Sequence, residues 1–281
     1  MRKLLSAGFM RLWRNKALYL ALVGVLLLAV STVMNGVRMV LADAFVFTRY
    51  LENFYFDTAV YSGIFLSAVI ALFIGVEYSD ATLRNKIIVG HSRTNIYLAN
   101  LVFCSTVSLL LTVAWMLGGM VGIPVLGVWV IGVKGMLLAL LISVLAAVSL
   151  SSVFLMISML LSNRAVSAVA CISLSLMLVL AASSPYNALC EPEFQSGLTM
   201  TVEGVLKMME PTPNPRYIGG ALRTVYSAVV NILPTGQQIL LANITSDEGI
   251  ANYPLQIAGS VLFTACTTGI GVFLFRRKDL K

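Results

Sequence analysis

Apolar residues run along this chain in six long stretches, separated by short polar joints and one long polar insertion. The stretches are Ala17–Val37, Thr58–Val76, Ile96–Met120, Gly135–Leu161, Ala165–Ala182 and Pro254–Phe275. Crossing a bilayer as a helix takes about 20 predominantly apolar residues. Their continuity predicts helices, because barrel strands alternate apolar and polar residues over ~10-residue segments. A shorter apolar piece, Val121–Val133, is broken by Gly122, Pro124 and Gly127. It predicts the end of the third span followed by an interfacial or re-entrant turn, with a seventh span as the alternative.

The polar joints carry their own patterns. The start, MRKLLSAGFMRLWRNK, interleaves Leu4, Leu5, Phe9, Met10, Leu12 and Trp13 with Arg2, Lys3, Arg11 and Arg14. At helical spacing this predicts an amphipathic helix over residues 1–16, lying along the membrane interface. The apolar core that follows is longer than a signal-peptide core of ~7–15 residues, so it reads as a retained first span. The insertion over 183–253 is punctuated by Pro185, Pro192, Pro211, Pro213, Pro215 and Pro234. Leu222, Val225, Tyr226, Val229 and Val230 fit one apolar helix face. Short helices packed over the mouth of the bundle are expected there.

Composition turns this pattern into a class. Hydrophobic residues make up 59 % of the 281 positions and charged residues 11 %, against about 25 % charged in soluble domains. The expectation is one all-α integral membrane domain over 1–281, with six transmembrane helices, an amphipathic first helix and a helical extracellular segment before the last span. With both termini inside, the outer loops hold Arg38, Arg49, Lys134, Lys207, Arg216 and Arg223, and the other 13 of 19 basic residues lie inside. The positive-inside rule therefore predicts N-in, C-in topology with an even number of spans. The net charge of +7 sits at span ends, where it meets lipid headgroups rather than nucleic acid.

Several chemistries are absent from the sequence. The four cysteines, Cys104, Cys171, Cys190 and Cys266, form no CxxC or paired spacing. There is no Gly-x4-Gly-Lys-Ser/Thr loop to cradle a nucleotide. The lone His91 makes neither a metal site nor a nucleophile–base pair. Ser149–Ser152 reads as helix-packing serines. The six stretches contain no ionisable residue in their interiors, which disfavours ion-coupled transport. No enzyme activity and no bound cofactor are expected of this chain.

One polar segment stands apart. Residues 77–100 read EYSDATLRNKIIVGHSRTNIYLAN. Acids come first and bases later, as a helix dipole prefers. Asp80 is expected to cap a short helix, Leu83, Ile87 and Ile88 to share its buried face, Gly90 to end it, and Ser92 or Thr94 to start the next helix. This predicts a helix–break–helix elbow on the cytoplasmic side, serving either as a docking element or as a plain connector.

The acid closing span two, the Thr, the aliphatic pair, Gly90 and Ser92-Arg93 resemble the cytoplasmic signature of type-2 ABC transporter permeases, in the variant found in Gram-positive bacteria. The overall plan is similar too. The family often has Gly where Ala81 stands and Lys where Asn100 stands. The resemblance implies a permease subunit of an ATP-driven exporter in the bacterial cell membrane. ATP would be bound by a separate ATPase subunit, and a second permease copy or a paralogue would complete the conduit. It implies Glu77 at the membrane end of the coupling element, Thr82, Arg84, Asn85 and Lys86 as contacts to the ATPase, and Gly90, Ser92 and Arg93 in the turn. The alternatives are a non-transporting accessory or self-protection membrane subunit and, more distantly, an ion-coupled carrier or intramembrane enzyme.

Overall fold

Asparagines stand where several of the helices begin. Asn15 Oδ1 accepts from Ala17 N at 2.9 Å. Asn163 Oδ1 accepts from Ala165 N at 2.9 Å and Val166 N at 3.2 Å. Asn252 Oδ1 accepts from Leu255 N at 3.1 Å. Each satisfies backbone donors that a helix start leaves unpaired, and this is why the apolar stretches resolve into separate helices. The computed structural model describes residues 2–41, 51–126, 130–195, 198–200, 206–208, 211–245 and 249–279.

The helices are α1 (Arg2–Trp13), α2 (Lys16–Leu41), α3 (Leu51–Ser79), α4 (Thr82–Ile88), α5 (Arg93–Gly119), α6 (Ile123–Leu126), α7 (Gly132–Leu160), α8 (Arg164–Leu189), α9 (Gly220–Ile232), α10 (Pro234–Ala242) and α11 (Tyr253–Arg277). Six of them, α2, α3, α5, α7, α8 and α11, are long and apolar enough to cross a membrane. The chain is thus an all-α multi-pass membrane protein. The described residues of the Val121–Val133 piece form a 3-10 turn and the short α6 before α7 begins at Gly132, and the described residues hold no seventh span.

The middle helices α3, α5 and α7 are the most buried spans, and α2, α8 and α11 lie outside them. Trp115 of α5 meets Tyr55 and Phe56 of α3 edge-on at 5.2 and 5.9 Å. At Gly118, α5 comes so close to α2 that a Cβ would lie 2.8 Å from the Leu26 carbonyl oxygen. Small residues at span crossings permit such approach. Ser149 bonds to Thr264 at 2.9 Å and Ser152 to Thr267 at 2.6 Å, tying α7 to α11. The serine patch therefore packs helices together.

Four expectations are corrected. The first helix ends at Trp13, short of residue 16. Helix α3 is longer than its apolar stretch, so Asp57 and Glu77 lie near the two ends of a membrane-length helix. Helix α8 continues through Pro185 to Leu189, because a proline near a helix end removes only one hydrogen bond of the last turns. The long insertion is not wholly helical. Phe194–Gln195 pairs with Thr212–Pro213 (β1, β4) and Leu198–Met200 with Leu206–Met208 (β2, β3), all antiparallel. Prolines 211, 213 and 215 keep this part out of a helix, and edge pairing accommodates Pro213.

The helical part of the insertion also sits differently from expectation. Arg223, near the start of α9, donates to the Leu189 carbonyl at 3.0 Å. Thr235, at the start of α10, donates to the Leu178 carbonyl at 2.9 Å. Leu178 precedes the end of α8 by eleven residues, roughly 16 Å at 1.5 Å per residue. Helix α9 therefore descends along α8, the chain turns at Leu233-Pro234, and α10 returns. Every residue of α10 is buried. Ile239, Leu240 and Ala242 share a cluster with Val60, Ala182, Tyr186 and Leu189. While α9 lies outside the bundle with Leu222, Val225 and Ile232 exposed, helix α10 is sunk into it rather than laid over its mouth.

Buried amides hold it there. Gln237 Nε2 donates to the Asn231 and Gln256 carbonyls at 2.9 and 3.0 Å. Gln256 Nε2 donates to Asn231 Oδ1 at 3.1 Å, and Ser260 Oγ to Gln237 Oε1 at 2.7 Å.

Candidate functional site

The elbow between α3 and α5 is built almost residue by residue from local rules. The chain leaves α3 through Ala81, which adopts a left-handed conformation at φ 53°. Asp80 does not cap α4. The cap position is Ala81, with no side-chain cap bond, and Thr82 Oγ1 instead donates to the Glu77 carbonyl at 3.1 Å. Non-glycine residues are strained in this region, whereas glycine is not. Ala81→Gly is expected to stabilise the protein by about 1 kcal/mol, seen as a higher unfolding temperature in detergent.

Leu83 and Ile87 face the protein, with Leu83 2 % exposed. Ile88 does not join them. It is 74 % exposed and Val89 is 76 % exposed, because a residue five positions on has rotated past the face shared by i and i+4. The helix ends in a Schellman turn: Gly90 at φ 95°, Gly90 N to the Ile87 carbonyl at 2.9 Å and His91 N to the Lys86 carbonyl at 3.1 Å. Ser92, not Thr94, then caps α5, with Oγ accepting from Asn95 N at 3.2 Å.

Behind the elbow lies a charged node. Glu77 is fully buried. Its Oε1 meets Arg11 Nη2 of α1 at 2.7 Å and Lys86 Nζ of α4 at 2.5 Å. Its Oε2 accepts from Asn100 Nδ2 of α5 at 3.0 Å. The Arg11 guanidinium also lies 4.2 Å from the Phe73 ring centroid. One carboxylate thus joins α1, α3, α4 and α5. Gly8 lets α1 pack tightly on Phe103, whose ring meets Phe9 edge-on at 5.1 Å.

A second tie reaches the last span. Arg93 Nη1 donates to the carbonyls of Phe275 at 3.3 Å, Arg276 at 3.0 Å and Lys278. These carbonyls close the α11 terminus, where Phe275 O also accepts from Lys278 N at 3.4 Å and where a cation suits the dipole. Lys278 Nζ donates to Tyr78 Oη at 2.9 Å and to the Met159 carbonyl at 3.1 Å, and the Tyr78 hydroxyl donates to the same carbonyl. Burial holds the Lys278 ammonium below the usual lysine range. Arg93→Ala is expected to release the α11 terminus. Amide exchange over 275–278 should rise by about tenfold or more, in line with hydrogen bonds to a charged group worth ~1.5–3 kcal/mol.

Of the residues singled out from sequence, Glu77, Lys86 and Thr82 come together in or beside the node. Gly90 and Ser92 shape the turn, and Arg93 turns to α11. Arg84 and Asn85 lie exposed on α4. Lys86 faces the node rather than outward. Arg11, Tyr78, Asn100 and Lys278 were not singled out for the site. One of them left a trace in the pattern: Asn100 is a polar residue inside an apolar run.

Among the described residues no three His, Cys, Asp or Glu side chains gather as a metal site. The elbow at the surface is tied to four spans, α3 and α5 directly, α11 through Arg93 and α7 through Lys278. No protein-family model and no curated protein matches this chain.

Proposed function

We propose that this protein is the membrane-spanning permease subunit of an ATP-driven ABC exporter. A separate ATPase subunit would press on the elbow at residues 77–100, and two permease copies, or this chain and a paralogous one, would form the conduit. On this reading the end of the bundle bearing the elbow and both termini faces the cytoplasm of a bacterial cell. The observation that carries the reading is the contrast within the elbow. Its base is fixed to the bundle through Glu77 and Arg93, while its tip leaves Ile88 and Val89 exposed. Exposed aliphatic side chains on a rigid turn suit an interface with another protein.

The test is purification of the affinity-tagged chain from native membranes, followed by assay of the co-purified ATPase. The wild-type chain is expected to bring down an ATPase subunit. Ile88→Asp with Val89→Asp should cut its recovery by about tenfold or more, as loss of apolar anchors does, while membrane insertion is unchanged. If the wild-type chain brings down no ATPase, or the double variant retains it fully, the reading fails and an accessory or self-protection subunit takes its place.

A further inference from the structure

We propose that the outward groove of α1 binds the phosphate of an anionic phospholipid headgroup. Helix α1 has two working faces. Leu4, Gly8 and Leu12 are buried against the bundle. Ala7, Met10, Arg11 and Arg14 recur at i, i+3, i+4 and i+7, one stripe of a helix, and with Ser6 they line a groove of about 510 Å³. A headgroup fits in such a volume.

Charge decides the occupant. Arg11 and Lys86 both converge on the single carboxylate of Glu77, so the node keeps one positive charge in excess. Arg11 Nε is buried without a hydrogen-bond acceptor, and Arg14 adds an exposed cation three residues on. An anion in the groove would meet the exposed Arg14 guanidinium directly and the open part of Arg11, whose side chain is 28 % exposed while its Nη2 stays on Glu77. The surroundings favour a lipid over a soluble anion. Met10 is 59 % and Trp13 49 % exposed beside the groove. The Tyr19 hydroxyl donates to the Trp13 carbonyl at 2.9 Å, fixing the corner where α1 meets the first span. Aromatic rings at such a corner sit at headgroup depth.

This inference does not depend on the proposed function. The full chain would be reconstituted in bilayers of phosphatidylcholine with phosphatidylglycerol, extracted gently, and the retained lipid measured by mass spectrometry. Phosphatidylglycerol is expected to be enriched about fivefold over the bulk mixture, the scale of one basic residue near an anionic surface. Arg14→Gln, on an exposed site, should abolish the enrichment, and Arg277→Gln at the far end of α11 should leave it intact. No enrichment, or equal loss in the two variants, would overturn the assignment, the latter by showing only a diffuse basic surface.

Discussion

Glu77→Ala is expected to destabilise the protein by about 3–5 kcal/mol, the usual cost of leaving buried charges without their counter-ion. The carboxylate is fully buried and answers two cations through one oxygen and an amide through the other. Removing it leaves Arg11 and Lys86 facing each other across a cavity. The sharper measurement is a sign change. In the wild-type background Lys86→Met should cost within about 1 kcal/mol, because Arg11 still neutralises the carboxylate. In a Glu77→Gln background the same Lys86→Met substitution should stabilise, because it removes one of two unopposed cations. Urea unfolding of the four proteins in mild detergent gives the cycle. If Lys86→Met destabilises equally in both backgrounds, its contribution is packing of the aliphatic stem and the node is not an electrostatic unit.

The same residue shows what could be read from the sequence. Six spans, the basic ends and the break at Gly90 followed from period, length and turn chemistry alone. Those rules are local, and the structure obeys them. Glu77 was recognisable as an acid at the end of a span, but its partners lie 66 residues earlier at Arg11 and 23 later at Asn100. Nothing in either segment alone points at the other. An amide at position 100 makes sense once the node is in view. Two cations already meet Glu77, and an amide completes the carboxylate without adding a third. Ala81 is the converse case, since its left-handed φ requires a conformation that the residue type does not advertise.

The insertion was the least legible part, also for a physical reason. The apolar face expected of α9 is covered only at its end, since Leu222 and Val225 are exposed and Val230 is buried. Its prolines marked breaks correctly at Pro234, yet Pro185 lay inside a helix that tertiary contacts carry on to Leu189. Gln237, Gln238 and Gln256 read as surface residues by type, and all three are buried. Their burial follows from α10 being placed inside the bundle, where Gln237 bonds to the Asn231 and Gln256 carbonyls and fixes its depth.

That depth depends on one glycine. Gly236 sits at the first turn of α10, where it crosses the end of α9. A Cβ there would lie 2.3 Å from the Val230 carbonyl oxygen and 2.8 Å from its Cα. Both are backbone atoms, so no side chain can swing aside. Gly236→Ala is expected to cost about 1–3 kcal/mol, the range for overpacking a filled interior, and Gly236→Val more, since it would push α10 away from α9. Gly269 supplies the comparison, because a Cβ added there meets nothing within 4 Å; Gly269→Ala should be neutral or slightly stabilising through helix propensity. Separation of the pair would also strain the Gln237–Ser260 and Thr235–Leu178 bonds, which span α10 to α11 and α8. Exchange of amides in α9 and α10 should therefore accelerate in Gly236→Ala while those of α4 at the other end stay protected. If exchange rises equally at both ends, the pair is not an independent wedge but part of one cooperative bundle, and movement at the elbow would then be transmitted to it directly.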